Sequence, residues 1–282
     1  MTTRTALAIL LLLLSTNLSE AAEPHQDTLR AWNVYIHAAS LDMAERADGS
    51  RPFLWVDDSP EIRRRVQQNE VVVANLDPRK VPHGLIHHWV GAVFVPNTAL
   101  DEVMSVLNRY DRYNNLYKPL ITKVAVHERG ENNVELTVVA VQKALSVTAA
   151  VEMDYEVKIE RPTPNRVLIT SAAIGVREIA DYGRPSEHPF TETQRPGYVW
   201  RALVVQRLEH RDGGVYVEFE TVSLSRGIPL EVRWLIEPLT NDLPRKLMFD
   251  MLNDTRAAVQ KEDKVDPVKK IYVAGAHDPN GH

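Results

Sequence analysis

The chain has 282 residues, 44% hydrophobic and 25% charged, with 12 Gly, 17 Pro and no cysteine, the composition of a folded globular protein. Without cysteine there are no disulfides, thiolate nucleophiles, iron–sulfur clusters or thiolate zinc sites. With 33 Lys and Arg against 38 Asp and Glu, the net charge of −5 gives no electrostatic reason to expect a nucleic-acid partner.

Residues 1–21 read as a signal peptide. Arg4 supplies a positive start, Ala6–Leu14 is an unbroken apolar run, and Ser19-Glu20-Ala21 puts small residues at the cleavage positions. The run is too short to span a bilayer, and no later segment is apolar for long enough to cross one. The mature chain is therefore expected to be exported, periplasmic or secreted. Residues 22–69 are expected to form an N-terminal helical extension. Leu29, Trp32, Ile36, Ala39 and Met43 make one stripe of a helix from Pro24 to about Arg46. Ser59-Pro60 then opens a second short helix, with Ser59 as its cap.

From Glu70 the pattern changes to strands, at Val71–Val73 and Ile86–Val95. Thr98, with Asp101 three residues on, reads as the cap of a helix carrying Leu100, Val103, Met104 and Leu107. Tyr110–Tyr117 continues as a short helix or turn. The period then becomes 2. Leu120–Arg129 and Val134–Lys143 flank a hairpin turn, and Thr148–Glu160 alternates an apolar face with a charged one, as a half-buried antiparallel strand requires. Arg166–Val176 follows, then an irregular loop from Asp181 to Pro196. Two strands, Tyr198–His210 and Val215–Leu224, meet at Asp212-Gly213, a favoured hairpin turn. The end is helical. Ile228–Leu239 is broken by Pro238 and Pro244, and a longer helix to about Glu262 carries Met248, Met251, Leu252, Thr255 and Val259 on one stripe. Residues 263–282 are polar and expected to be a mobile tail.

An antiparallel sheet with one apolar face needs a cover, and the closing helix is the element available. IHHWVGAVFVP at 86–96, YDRYNNLYKP at 110–119, YVWRALVVQRLEHRDGGVYVEFETVSLSRGIP at 198–229 and PRKLMFDMLNDTRAAVQ at 244–260 resemble the START-like and polyketide-cyclase (SRPBCC, helix-grip) superfamily, in particular exported bacterial START-like proteins. The resemblance covers residues 70–262. It implies an α+β helix-grip fold, a bent antiparallel sheet of about seven strands wrapped around a long C-terminal helix. It also implies a cavity between sheet and helix for a lipid-, sterol- or polyketide-like molecule. The extension at 22–69 departs from the simplest members.

The Asp212-Gly213 turn sets Arg207 opposite Glu218 and Gln206 opposite Phe219. Tyr198, Trp200, Gln206 and Phe219 then share the face read as lining the cavity, together with Met153, Tyr155, Met248, Met251 and Leu252. Methionines suit variable apolar ligands because their chains repack, and Gln206 and Tyr155 are the candidates for orienting a polar head. Arg201, Arg207, Glu209, Glu218 and Glu220 fall on the other face and read as exposed cross-strand pairs. His87 and His88 point to opposite faces and cannot share a metal ion. No catalytic residue, metal or cofactor is assigned. The expected function is carriage of a hydrophobic small molecule, a role compatible with transient membrane contact. A cyclase- or hydrolase-like enzyme using His87, His88 or Glu218 is the alternative, and a cavity-less partner-binding module is a third reading.

Overall fold

The computed structural model describes residues 23–265 except 78, 145–146, 192–194 and 228–229, so the leader at 1–21 and the tail beyond Val265 lie outside the described residues. The alternating segments form one antiparallel sheet: β1 (Val72–Asn75), β2 (Arg79–Val81), β3 (Gly84–Pro96), β4 (Ile121–Arg129), β5 (Asn133–Ala144), β6 (Val147–Thr163), β7 (Arg166–Ala180), β8 (His188–Pro189), β9 (Arg201–Arg211) and β10 (Gly214–Arg226). Their order is β1-β3-β10-β9-β7-β6-β5-β4, with β2 on β3 and β8 on β7. The sheet thus has ten strands rather than about seven. Two of the additional strands, β2 and β8, are three and two residues long, too short to show a period. The β9–β10 turn has φ of 55° at Asp212 and 78° at Gly213. Left-handed backbone at both central residues gives the tight hairpin that fixes Glu218 opposite Arg207 and Phe219 opposite Gln206.

The helices are α1 (Gln26–Asp48), α2 (Pro60–Gln67), α3 (Leu100–Leu107), α4 (Tyr113–Leu116) and α5 (Leu230–Val265). The Ser59 hydroxyl accepts the Ile62 N–H at 3.4 Å, with Pro60 in the first turn. At α3 the start falls one residue later than the sequence suggests: the Glu102 carboxylate accepts the Ala99 N–H at 2.7 Å, and Thr98 donates to the Pro96 carbonyl. α5 runs unbroken through Pro238 and Pro244. Each proline removes one intrahelical hydrogen bond, a loss that kinks a helix and need not end it.

The inner face of the sheet carries the main core. Trp89, Val93, Val95, Val167, Ile169, Leu208, Val217 and Phe219 meet α3, Tyr110, Tyr117 and the stripe Met248, Leu252 and Val259 of α5. The Tyr117 hydroxyl lies 3.0 Å from Thr255 Oγ1, which donates to the Met251 carbonyl, so this contact pins α5 to the segment before β4. Closest approach is at Gly91, where an added Cβ would sit 2.8 Å from Leu252 Cδ1 and 2.9 Å from Met248 Cγ. Gly91→Val is accordingly expected to lift α5 and cost about 1–3 kcal/mol by overpacking, read as a lower urea midpoint. An unchanged midpoint would contradict the close packing.

The opposite face is covered as well, by the extension. Phe53, Leu54, Trp55, Val56 and Val66 pack on Val72, Val90, Ala92, Phe94 and Tyr216. Further along, Trp32 and Tyr35 of α1 pack on Ile86, Trp200, Val222 and Leu224. The face read from the sequence as solvated is therefore an interface over β1, β3, β9 and β10. It stays half-exposed on the far strands, where Arg177 pairs with Glu152 and Asp154.

Candidate functional site

On the inner face the registers align side chains into rows across four strands. One row is Gly91, Phe219, Gln206 and Ile169; the next is Trp89, Thr221, Val204 and Ser171; a third begins His87, Ser223 and Ala202. The first row ends under Met248 and Leu252 and is closed. Beyond it Ser171, Ala202, Val204 and Ser223 are small or short and only half-buried. On β6, Met153 and Tyr155 flank this strip, opposite Val176 and Ala173. A register shift between Asp154 and Tyr155 bends the sheet there, as an extra residue in one strand does.

The polar groups on this strip are few. Trp89 Nε1 is enclosed and has no hydrogen-bond partner, although such a buried donor ordinarily finds one. The Tyr155 hydroxyl donates only to Met153 Sδ, at 3.3 Å, a weak acceptor; burial pushes its phenol up to about 12. Gln206 is 9% exposed between Phe219 and Ile169. His87 Nε2 lies 3.0 Å from Ser225 Oγ, and burial lowers the His87 pKa, favouring the neutral ring. Trp89 is the residue that sequence reasoning missed. Its parity with Gly91 and Phe219 was available in IHHWVGAVFV, but nothing in the pattern reports an unpaired indole N–H.

The expected lining residues divide into three groups. Met153, Tyr155 and Gln206 border the half-buried strip. Phe219, Met248 and Leu252 are fully packed at its closed end, with Met251 half-buried against the same core. Tyr198 is half-buried in the segment entering β9, where burial raises its phenol and Glu178 adds to the effect. Trp200 lies on the other side of the sheet, against Trp32 and Tyr35, and is not on the expected face. β9 begins only at Arg201, so the strict alternation that holds from Ala202 onward does not extend to it.

On the extension side, five polar residues form one buried chain. Arg207 Nη1 donates to Glu218 Oε1 at 3.0 Å and to Glu220 Oε2 at 2.6 Å. The other Glu220 oxygen is 2.6 Å from His88 Nε2, and His88 Nδ1 is 2.7 Å from the Tyr35 hydroxyl. The other Glu218 oxygen accepts the Trp55 N–H at 2.8 Å. Arg207 is 1% exposed, Glu218 0% and Glu220 4%. These are not the exposed pairs read from the sequence: Tyr35 and Trp55 come from the extension and close over them. Burial raises Glu218 from 4.5 to about 7, against the pull of Arg207. Burial acts the same way on Glu220, but the His88 hydrogen bond and the Arg207 charge prevail and hold it at about 2. Arg207 Nε and Nη2 are enclosed without partners. The chain is closed to solvent and serves as a polar joint between extension and sheet.

No protein-family model matches the chain, and no curated protein does. Among solved structures it is similar to a STAR-related lipid transfer protein from Xanthomonas axonopodis, at 16% identity over 67% of this chain and 98% of the other, with a TM-score of 0.43. It is also similar to the Zhui aromatase/cyclase from Streptomyces sp. R1128, at 12% identity over 63% and 96%, TM-score 0.44. Human STARD10 matches at 10% identity over 79% and 89%, TM-score 0.43. Among the described residues no helix is long and apolar enough to cross a membrane.

Proposed function

We propose that the protein binds and carries a hydrophobic, lipid-like molecule on the inner face of the sheet, along the strip beside α5. The observation that carries this reading is the enclosed, unpaired Trp89 N–H next to small, half-buried side chains. A ligand carbonyl, ether or hydroxyl oxygen would complete that donor, while Met153, Val204 and Tyr155 would take the apolar body. Burial contributes about 25 cal/mol per Å² of apolar surface, and each placed polar contact adds orientation more than strength. The sequence of residues 1–21 adds the proposal that this carriage takes place outside the cytoplasm.

Native mass spectrometry with lipid extraction, on protein purified from its own compartment, tests the reading. A stoichiometric hydrophobic ligand is expected. Trp89→Phe, which keeps the ring and removes the donor, should weaken its retention roughly three- to tenfold, the worth of one hydrogen bond. Ligand-free protein that also takes up no fluorescent fatty acid or sterol would sink the proposal. One observation favours the enzymatic alternative: His87 and Ser225 are a neutral imidazole and a hydroxyl in hydrogen-bond reach, the first requirement of a base–nucleophile pair. Esterase activity lost in Ser225→Ala would support it, and unchanged activity would remove it.

A further inference from the structure

Where β7 and β9 part, the sheet encloses a second kind of space. Their ladder ends at Ala172 opposite Leu203. From there β7 stays with β6 and β8, while the chain entering β9 swings toward β10, where the Trp200 N–H meets the Leu224 carbonyl at 2.7 Å. The gap is a cavity of about 210 Å³ between the two arms and the start of α1. Its apolar wall is Leu29, Val176 and Trp200, and its polar wall is Glu178, Arg195 and Arg201.

The polar wall is unevenly spent. Glu178, 2% exposed, turns its carboxylate onto the backbone: it accepts the N–H groups of Gly197 at 2.9 Å and Val199 at 3.4 Å, and that of Tyr198 as well. Most of its acceptor capacity is used, and burial raises its pKa against the pull of those N–H groups and of the Arg195 charge. Arg195 is placed differently. Its Nε is enclosed with no hydrogen-bond partner. Arg201, at the rim, gives one N–H to the Trp200 carbonyl. Glu23, the remaining acid of the lining, is solvent-exposed at the mouth, where its charge is screened. The cavity therefore sets one unpaired cationic donor, Arg195 Nε, opposite an apolar wall, on a guanidinium whose charge also acts on Glu178.

We propose that this cavity binds a small monocarboxylate with an apolar body, its carboxylate on Arg195 and its body against Leu29, Val176 and Trp200. A guanidinium with an unpaired N–H is well matched to a carboxylate. The volume exceeds the roughly 150 Å³ of an engineered apolar cavity that holds benzene, so a single aromatic ring with a one-carbon acid arm fits. The site stands apart from the inner-face strip and does not depend on what that strip carries. Only Val176, opposite Met153, borders both.

The test uses phenylacetate and its uncharged analogue phenylacetamide, titrated into the full chain by calorimetry and followed by tryptophan fluorescence, since Trp200 lines the cavity. Phenylacetate is expected to bind with a Kd below about 1 mM, and phenylacetamide at least tenfold more weakly. Arg195→Gln should lose at least tenfold for the acid and leave the amide unchanged, while Arg195→Lys keeps part of the preference. Equal binding of acid and amide by the unaltered protein would overturn the proposal, as would no binding of the acid. So would an Arg195→Gln variant that binds the acid as before. The comparison on the unaltered chain decides the matter even where a variant folds poorly.

Discussion

Arg207→Met is expected to lose about 3–5 kcal/mol of folding stability at neutral pH, the penalty for removing one partner of a buried ion pair. The reason lies in what remains. Glu218 and Glu220 both place an oxygen on the same Arg207 nitrogen, and without it two buried acid groups are left beneath Trp55 and Tyr35 with no guanidinium between them. Urea unfolding measures the loss as a lower midpoint at similar slope. Lys158→Ala is the control, because the Lys158–Glu160 pair is exposed and such pairs are worth at most about 1 kcal/mol. If Arg207→Met loses no more than that control, the polar joint is not holding the extension.

The same joint gives stability a defined pH course. Glu218 has its folded pKa raised, from 4.5 to about 7. Its contribution is fully present below pH 4.5 and is lost as the pH rises through 7, because only the folded state keeps the proton in that interval. Glu220, lowered to about 2, behaves oppositely: its contribution is present above 4.5 and is lost as the pH falls toward 2. The two limbs meet near pH 4.5. Groups facing Glu218 from all sides enter the balance: Arg207 and Glu220 on the sheet, Arg46 of α1, and the Trp55 N–H. Glu218→Gln removes one limb alone. Between about pH 5.5 and pH 8 the variant should gain about 2 kcal/mol on the unaltered protein, because each tenfold difference in proton affinity between folded and unfolded chain is worth about 1.4 kcal/mol. A difference that does not change with pH would show that Glu218 is ionised throughout.

Much of the sheet was legible because its signals are local. Alternation in Thr148–Glu160 and two residues of turn chemistry at Asp212-Gly213 were enough to pair Arg207 with Glu218 and Gln206 with Phe219, as observed. The closing helix was legible from its stripe, though two prolines gave it a break it does not have. What could not be read was which surface the extension covers. Leu29, Trp32, Ile36, Ala39 and Met43 announce a buried stripe, but no local pattern says that it lies on β3 and β10 rather than across the mouth of the inner face. That unknown decided the charged face: Arg207, Glu218 and Glu220 carry the alternation of a solvated surface, and only Trp55 and Tyr35, distant in sequence, make them interior. For the inner-face strip, parity put Gln206, Tyr155 and Met153 on the side of the sheet that carries Phe219 and Ile169. The unpaired state of Trp89 depends on the whole surrounding packing and leaves no trace in the chain.

The joint between extension and sheet also has a bearing on synthesis. Trp55 and Glu218 are 163 residues apart, and Tyr35 reaches Glu220 only through His88. A ribosome delivers α1 before the sheet, yet the surface that receives it is incomplete until the β9–β10 hairpin has emerged. Contacts of such separation close late and slowly. Throughout elongation the stripe of Trp32, Tyr35 and Ile36 has no resting place in its own fold, a condition that invites aggregation or the company of a chaperone. A segment made before the sheet is thus among the last to be seated.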